Sequence, residues 1–75
     1  MFDTLVLFPE AFCARMSDFD HSNELTRETK DRLSAMGIQF RFYCSMGKGC
    51  LLHCMNEDLL ALTLAFEGIE DQGFR

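Results

Sequence analysis

A two-layer α+β fold, running strand, helix, strand, strand, helix, is predicted by three features of this 75-residue chain. The alternating stretch Ile38-Gln39-Phe40-Arg41-Phe42-Tyr43-Cys44-Ser45 is followed by Met46-Gly47-Lys48-Gly49 and a second apolar run from Cys50 to Met55, the pattern of a β-hairpin. A helical stripe of Leu25, Thr29, Leu33 and Met36 lies just before it. An almost continuous apolar run at 2–8 ends at Pro9, as suits a strand covered on both faces or paired across a subunit contact. A right-handed crossover from the first strand to the second leaves a gap that the third fills. The expected sheet is therefore three-stranded and antiparallel, in order 1-3-2, with the helices packed on one face.

Taken in order, the first strand ends at Pro9, which suits a first helical position, so Glu10 to Phe19 is read as a short helical turn. Asp18, Asp20, Ser22 and Asn23 form a polar loop, and Ser22 or Thr26 is placed to cap the next helix. On that helix Arg27, Glu28, Lys30, Asp31 and Arg32 face outward, and Gly37 stops it in the left-handed position. In the hairpin, Gly49 is expected at the left-handed position of a three-residue turn, which pairs Met46 with Cys50, Cys44 with Leu52 and Phe42 with Cys54. Asn56 is the expected cap of the last helix, with Glu57 and Asp58 at the positive end of its dipole. The helix runs from Leu59 to Phe66 and ends at Gly68, and residues 67–75 read as an acidic tail on one domain spanning 1–75.

Composition narrows the class of function. A chain with 48% apolar residues, 8 of them Phe, and 25% charged residues folds rather than staying disordered, although at this length a single core gives only marginal stability. A net charge of −5 with 7 basic residues opposes direct nucleic-acid binding, which draws its affinity from clustered Lys and Arg. The amino-terminal apolar run has no basic region before it and no small-residue cleavage site after it, and no segment approaches the ~20 apolar residues of a membrane span. A cytoplasmic location with reduced thiols is expected, and no membrane association.

The cysteines invite a metal reading. In the expected register Cys44, Cys50 and Cys54 look toward the helices while His53 looks the other way beside Tyr43, so the four groups cannot converge on one ion. A one-residue shift would instead strand His53 in the core. Core packing is the expected role of the thiols, and no cofactor or metal is assigned. Asp18 to Ser22 begins like a calcium loop, but Asn23 stands where the turn wants Gly and Thr29 where a bidentate Glu is required. Gly47-Lys48-Gly49 lacks the lead-in of a phosphate loop. No Cys or Ser is placed against a His, so no catalytic residue is assigned.

What remains is surface. Leu59, Leu62 and Phe66 make one face of the last helix, and Leu60, Leu64 and Ala61 another that a small sheet cannot also cover. Leu60 and Leu64 are therefore assigned to self-association as a homodimer, through this helix or the first strand. The outer sheet face, with Gln39, Arg41, Tyr43, Leu51, His53 and Met55, carries residue types enriched at recognition surfaces. Glu57, Asp58, Glu67, Glu70 and Asp71 can steer a basic partner. Arg41, Tyr43, His53, Glu67, Glu70 and Asp71 are assigned to binding a protein partner with a basic surface. The expected function is a small acidic, non-enzymatic inhibitor or regulator, of the kind a phage or mobile element directs at a nucleic-acid-binding complex. The alternative from another class is a thiol-based metal or redox protein using Cys44, Cys50, Cys54 and His53. A single-stranded nucleic-acid module ranks third, because only one ring and one Arg lie on that face.

Overall fold

The computed structural model describes residues 1–15, 23–46 and 49–73. Strand β1 (Thr4–Pro9) leads through a 3-10 turn (Glu10–Phe12) into β2 (Cys13–Arg15), followed by β3 (Asn23–Leu25), helix α1 (Arg27–Ala35), strands β4 (Phe40–Met46) and β5 (Gly49–Cys54), a 3-10 turn (Asn56–Asp58), helix α2 (Leu59–Ala65) and β6 (Glu70–Gly73). The fold is α+β. Its main sheet is antiparallel and four-stranded in the order β4-β5-β1-β6, and β2 and β3 form a second, two-stranded sheet.

The three-stranded sheet expected from the sequence is thus corrected, and the extra strand comes from the supposed acidic tail. Gly68, at φ +93, reverses the chain after α2, and residues 70–73 run back along the edge of β1 that the hairpin leaves unpaired. The helical reading of 10–19 also fails beyond Phe12, because Cys13, Ala14 and Arg15 are extended and pair with Leu25, Glu24 and Asn23. Met16 to Phe19, the loop residues Asp18, Asp20, His21 and Ser22, the turn residues Gly47 and Lys48, and Phe74 lie outside the described residues.

Helix α1 is capped by Thr26, whose Oγ1 accepts from the Thr29 N–H at 3.1 Å. Its other end closes on Gly37 at φ +75, with the Gly37 and Ile38 N–H groups donating to the carbonyls of Ser34 and Leu33. That closure turns Met36 out to solvent and puts Ile38 into the core in its place, so Met36 is not part of the buried stripe. Arg32 is no mere solvated charge either. Its Nη2 donates to the Ala65 carbonyl at 2.7 Å, at the end of α2, and its guanidinium lies 4.3 Å from the centre of the Phe66 ring. The expected Asn56 cap is not made: Asn56 opens the 3-10 turn, where its N–H donates to Asp3 Oδ1 at 2.9 Å, and α2 itself starts after Asp58 without a side-chain cap.

The hairpin closes on Met46 and Gly49, one residue tighter than expected. Left uncorrected, that register would place Tyr43 opposite the buried Leu52. A β-bulge between Phe42 and Cys44 absorbs the difference, so that Phe42 pairs with Leu52, Arg41 with His53 and Phe40 with Cys54. Cys44 then pairs with Leu51 and leaves the inner face, where only Cys50 and Cys54 of the three expected thiols remain.

The core is one cluster. Val6, Phe8, Leu52, Cys50 and Cys54 from the sheet meet Leu25, Leu33, Ile38, Leu62 and Phe66. The Phe8, Phe12 and Phe66 rings form an edge-to-face triangle with centroids 5.2 to 6.1 Å apart. Gly49 is a strand residue paired with Met46 and Pro9, and the reason it must be glycine is the Phe8 carbonyl oxygen, which occupies the space a Cβ would need. Gly49→Ala is expected to destabilise the fold by about 1–3 kcal/mol, read as a lower urea midpoint at unchanged slope.

Candidate functional site

Alternation along the central strands gives the main sheet two unlike faces. Thr4, Val6 and Phe8 of β1 point into the core, and Leu5 and Leu7 point away from it. Ladder pairing assembles the outer face as two rows across the sheet. One row runs Arg41, His53, Leu5, Gly73; the next runs Cys44, Leu51, Leu7, Glu70. Leu5, Leu7 and Leu51 are half-buried and stand outside the core cluster. Among the described residues, the buried side chains of both helices, Leu33 and Leu62 included, lie in the core on the other face. The sheet therefore presents, among the described residues, an apolar centre without a second packed layer.

Polar groups border that centre unevenly. On the β4 side the Tyr43 ring, 55% exposed, meets the His53 ring edge-on at 4.8 Å between centroids. The Arg41 guanidinium lies 5.3 Å from the centre of the Phe2 ring, at the end of the same face. On the far side, Glu70 stands opposite Leu7 on β6. Positive and negative groups thus occupy opposite borders of one face.

Of the residues assigned to partner binding, the fold brings Arg41, Tyr43, His53 and Glu70 to this surface. It separates Asp71, which pairs with the inward-facing Val6 and whose Oδ1 accepts from the Gly73 N–H at 2.7 Å. Glu67 is exposed in the turn after α2. Gln39 and Met55 flank the hairpin, just before β4 and just after β5. Leu60 and Leu64, 69% and 79% exposed, are one helical turn apart on the outer side of α2, away from the sheet. On β1 the residues pointing away from the core are Leu5 and Leu7, which the sequence reading did not separate from the buried half of that strand.

The thiols divide in the same way. Cys50 and Cys54 are buried on the inner face, while Cys44 and His53 sit in the outer rows, so the quartet of the metal alternative does not converge. Among the described residues no three His, Cys, Asp or Glu side chains gather as a metal-binding group. Burial, reinforced by the carboxylates of Asp58, Asp3 and Asp71, pushes the Cys54 thiol up to about 11. Sequence reasoning missed Cys13 altogether. Its Sγ lies 3.1 Å from that of Cys50, a contact between residues 37 apart that no local pattern announces. A cleft of about 90 Å³ lined by Glu24, Lys30, Phe40 and Phe42 is well below the roughly 300–1,000 Å³ of small-molecule sites. Among the described residues, no helix is long and apolar enough to cross a membrane.

Comparison with protein-family models, with curated proteins and with solved structures finds no match.

The Cys54 shift has a definite sign. The folded state holds the thiol above its ordinary value of 9.0, so the neutral form contributes its full stability below pH 9 and loses it as the pH rises toward 11. Thermal melts under reductant should show the midpoint falling across that window, with a shallower fall in Cys54→Ala.

Proposed function

We propose that this chain is a non-enzymatic protein-interaction module that inhibits or regulates a protein partner seated on the outer sheet face. The observation that carries the reading is the apolar centre of Leu5, Leu7 and Leu51, half-buried, uncovered by either helix, and bordered by Tyr43, His53 and Arg41 on one side and Glu70 on the other. An apolar centre ringed by polar groups is the arrangement of a recognition surface, in which aromatic and Arg side chains supply most of the affinity. The partner that fits has an apolar contact patch with a basic border beside it, to meet Glu70 and be steered by Glu67 and Asp71.

The second uncovered surface, Leu60 and Leu64 on α2, is the proposed homodimer contact. It faces away from the sheet, so dimerisation leaves the partner surface free. The net charge of −5, with Arg41 the one cation in the two rows, disfavours nucleic acid as the occupant.

Sedimentation and affinity capture, with circular dichroism to confirm folding, separate the two surfaces. The wild type is expected to sediment as a dimer and Leu60→Lys/Leu64→Lys as a monomer. Leu51→Asp is expected to remain dimeric and to lose partner affinity by about tenfold or more. A partner that binds Leu51→Asp as well as the wild type removes the sheet face from the proposal, and a monomeric wild type removes the helix contact.

A further inference from the structure

Cys13 and Cys50 are both free thiols, and their sulfurs meet at 3.1 Å. A disulfide bond is about 2.05 Å long, so roughly 1 Å of approach separates this contact from a covalent link. Neither sulfur arrives there by the swing of a loose side chain. Cys13 opens β2, where it pairs with Leu25, and its Sγ lies 3.4 Å from the Pro9 carbonyl and 3.8 Å from that of Phe8. Cys50 stands directly opposite Phe8 in the β1–β5 ladder and is fully buried. Both thiols therefore converge on the end of β1 from two different sheets.

The pair is also asymmetric. Cys13 is partly exposed, while Cys50 is fully buried. Burial pushes both thiols up, but the Cys50 S–H, which donates to the Cys13 sulfur, partly offsets the rise on Cys13 and adds to that on Cys50. Of the two, the thiolate therefore forms more readily on Cys13. Exposure and hydrogen bonding assign the attacking role to the same residue.

We propose that Cys13 and Cys50 are a redox-active dithiol that closes to an intramolecular disulfide by exchange with a low-molecular-weight disulfide such as oxidised glutathione. The Cys13 thiolate attacks one sulfur of the small disulfide, whose S–S bond breaks. One small thiol leaves, taking a proton, and a mixed disulfide stays on Cys13. Cys50, on losing its proton, attacks the Cys13 sulfur and displaces the second small thiol, which takes that proton up. Two protein thiols have given up two electrons and two protons, and one small disulfide has become two thiols. The product ties β2, and with it the two-stranded sheet, covalently to β5. Closing a loop of this length restricts the unfolded chain and suppresses local opening of the smaller sheet.

The test treats the native full-length chain with oxidised glutathione, blocks remaining thiols by alkylation, and reads intact mass and unreduced peptides by mass spectrometry. The expected product has lost two hydrogen atoms, carries a Cys13–Cys50 cross-linked peptide with Cys44 and Cys54 alkylated, melts on the order of 10 °C higher, and reverts with dithiothreitol. Cys50→Ala is expected to stop at a stable glutathione adduct on Cys13. A wild-type protein that stays fully reduced, accumulates the Cys13 adduct, or links a different pair of cysteines would overturn the assignment.

Discussion

Every layer of the molecule meets at the ring of Phe66. It ends α2, is fully buried, and packs edge-on against Phe8 from the main sheet and Phe12 from the segment that leads to the small one. Its remaining surface takes the guanidinium of Arg32, which also closes the last turn of α2. Aromatic contacts of this kind contribute about 0.5–1.5 kcal/mol each beyond the area they bury. In a chain of 75 residues that is a large share of the margin between folded and unfolded. The carbonyl of Phe12 extends the same junction, because it accepts from both the Thr26 N–H and Thr29 Oγ1 at the start of α1. One aromatic cluster therefore aligns both helices, the main sheet and the attachment of the smaller sheet.

What was legible in the sequence is what short-range physics decides. The helix with its Thr26 cap and Gly37 stop, the hairpin, and the division of the last helix into a buried face with Leu62 and an exposed one with Leu60 and Leu64 all follow from periodicities of two or about four residues. What escaped were agreements between distant parts of the chain. β6 exists because β1 has a second free edge, which nothing in Glu70-Asp71-Gln72-Gly73 announces. Asp3 holds the N–H of Asn56, at the start of the 3-10 turn before α2, across 53 residues. The bulge at Tyr43 is decided by the tightness of the turn together with the parity of β5, and it alone moves Cys44 from the face that strict alternation assigns it.

The candidate surface was legible in part for the same reason. Arg41, Tyr43 and His53 could be placed together because they belong to one hairpin. Leu5 and Leu7 could not be added to them, since an apolar run without alternation hides which half of a strand is buried. Charge was harder still. Glu70 and Asp71 are adjacent in sequence, yet their ladder partners, Leu7 and Val6, lie on opposite faces of the sheet, so a cluster of acids in the sequence is not one patch in space.

The two margins of the main sheet have a consequence for how the chain can assemble. On one side β4 is deformed by its bulge, and on the other β6 is short, acidic and exposed along its whole length. Both are features that discourage a neighbouring chain from extending the hydrogen-bond ladder. Growth by adding strands, which has no natural stopping point and leads to fibres, is thereby obstructed. Contact between broad faces, the mode proposed for Leu60 and Leu64, consumes the surface it uses and stops at a fixed stoichiometry instead of seeding an open chain of copies.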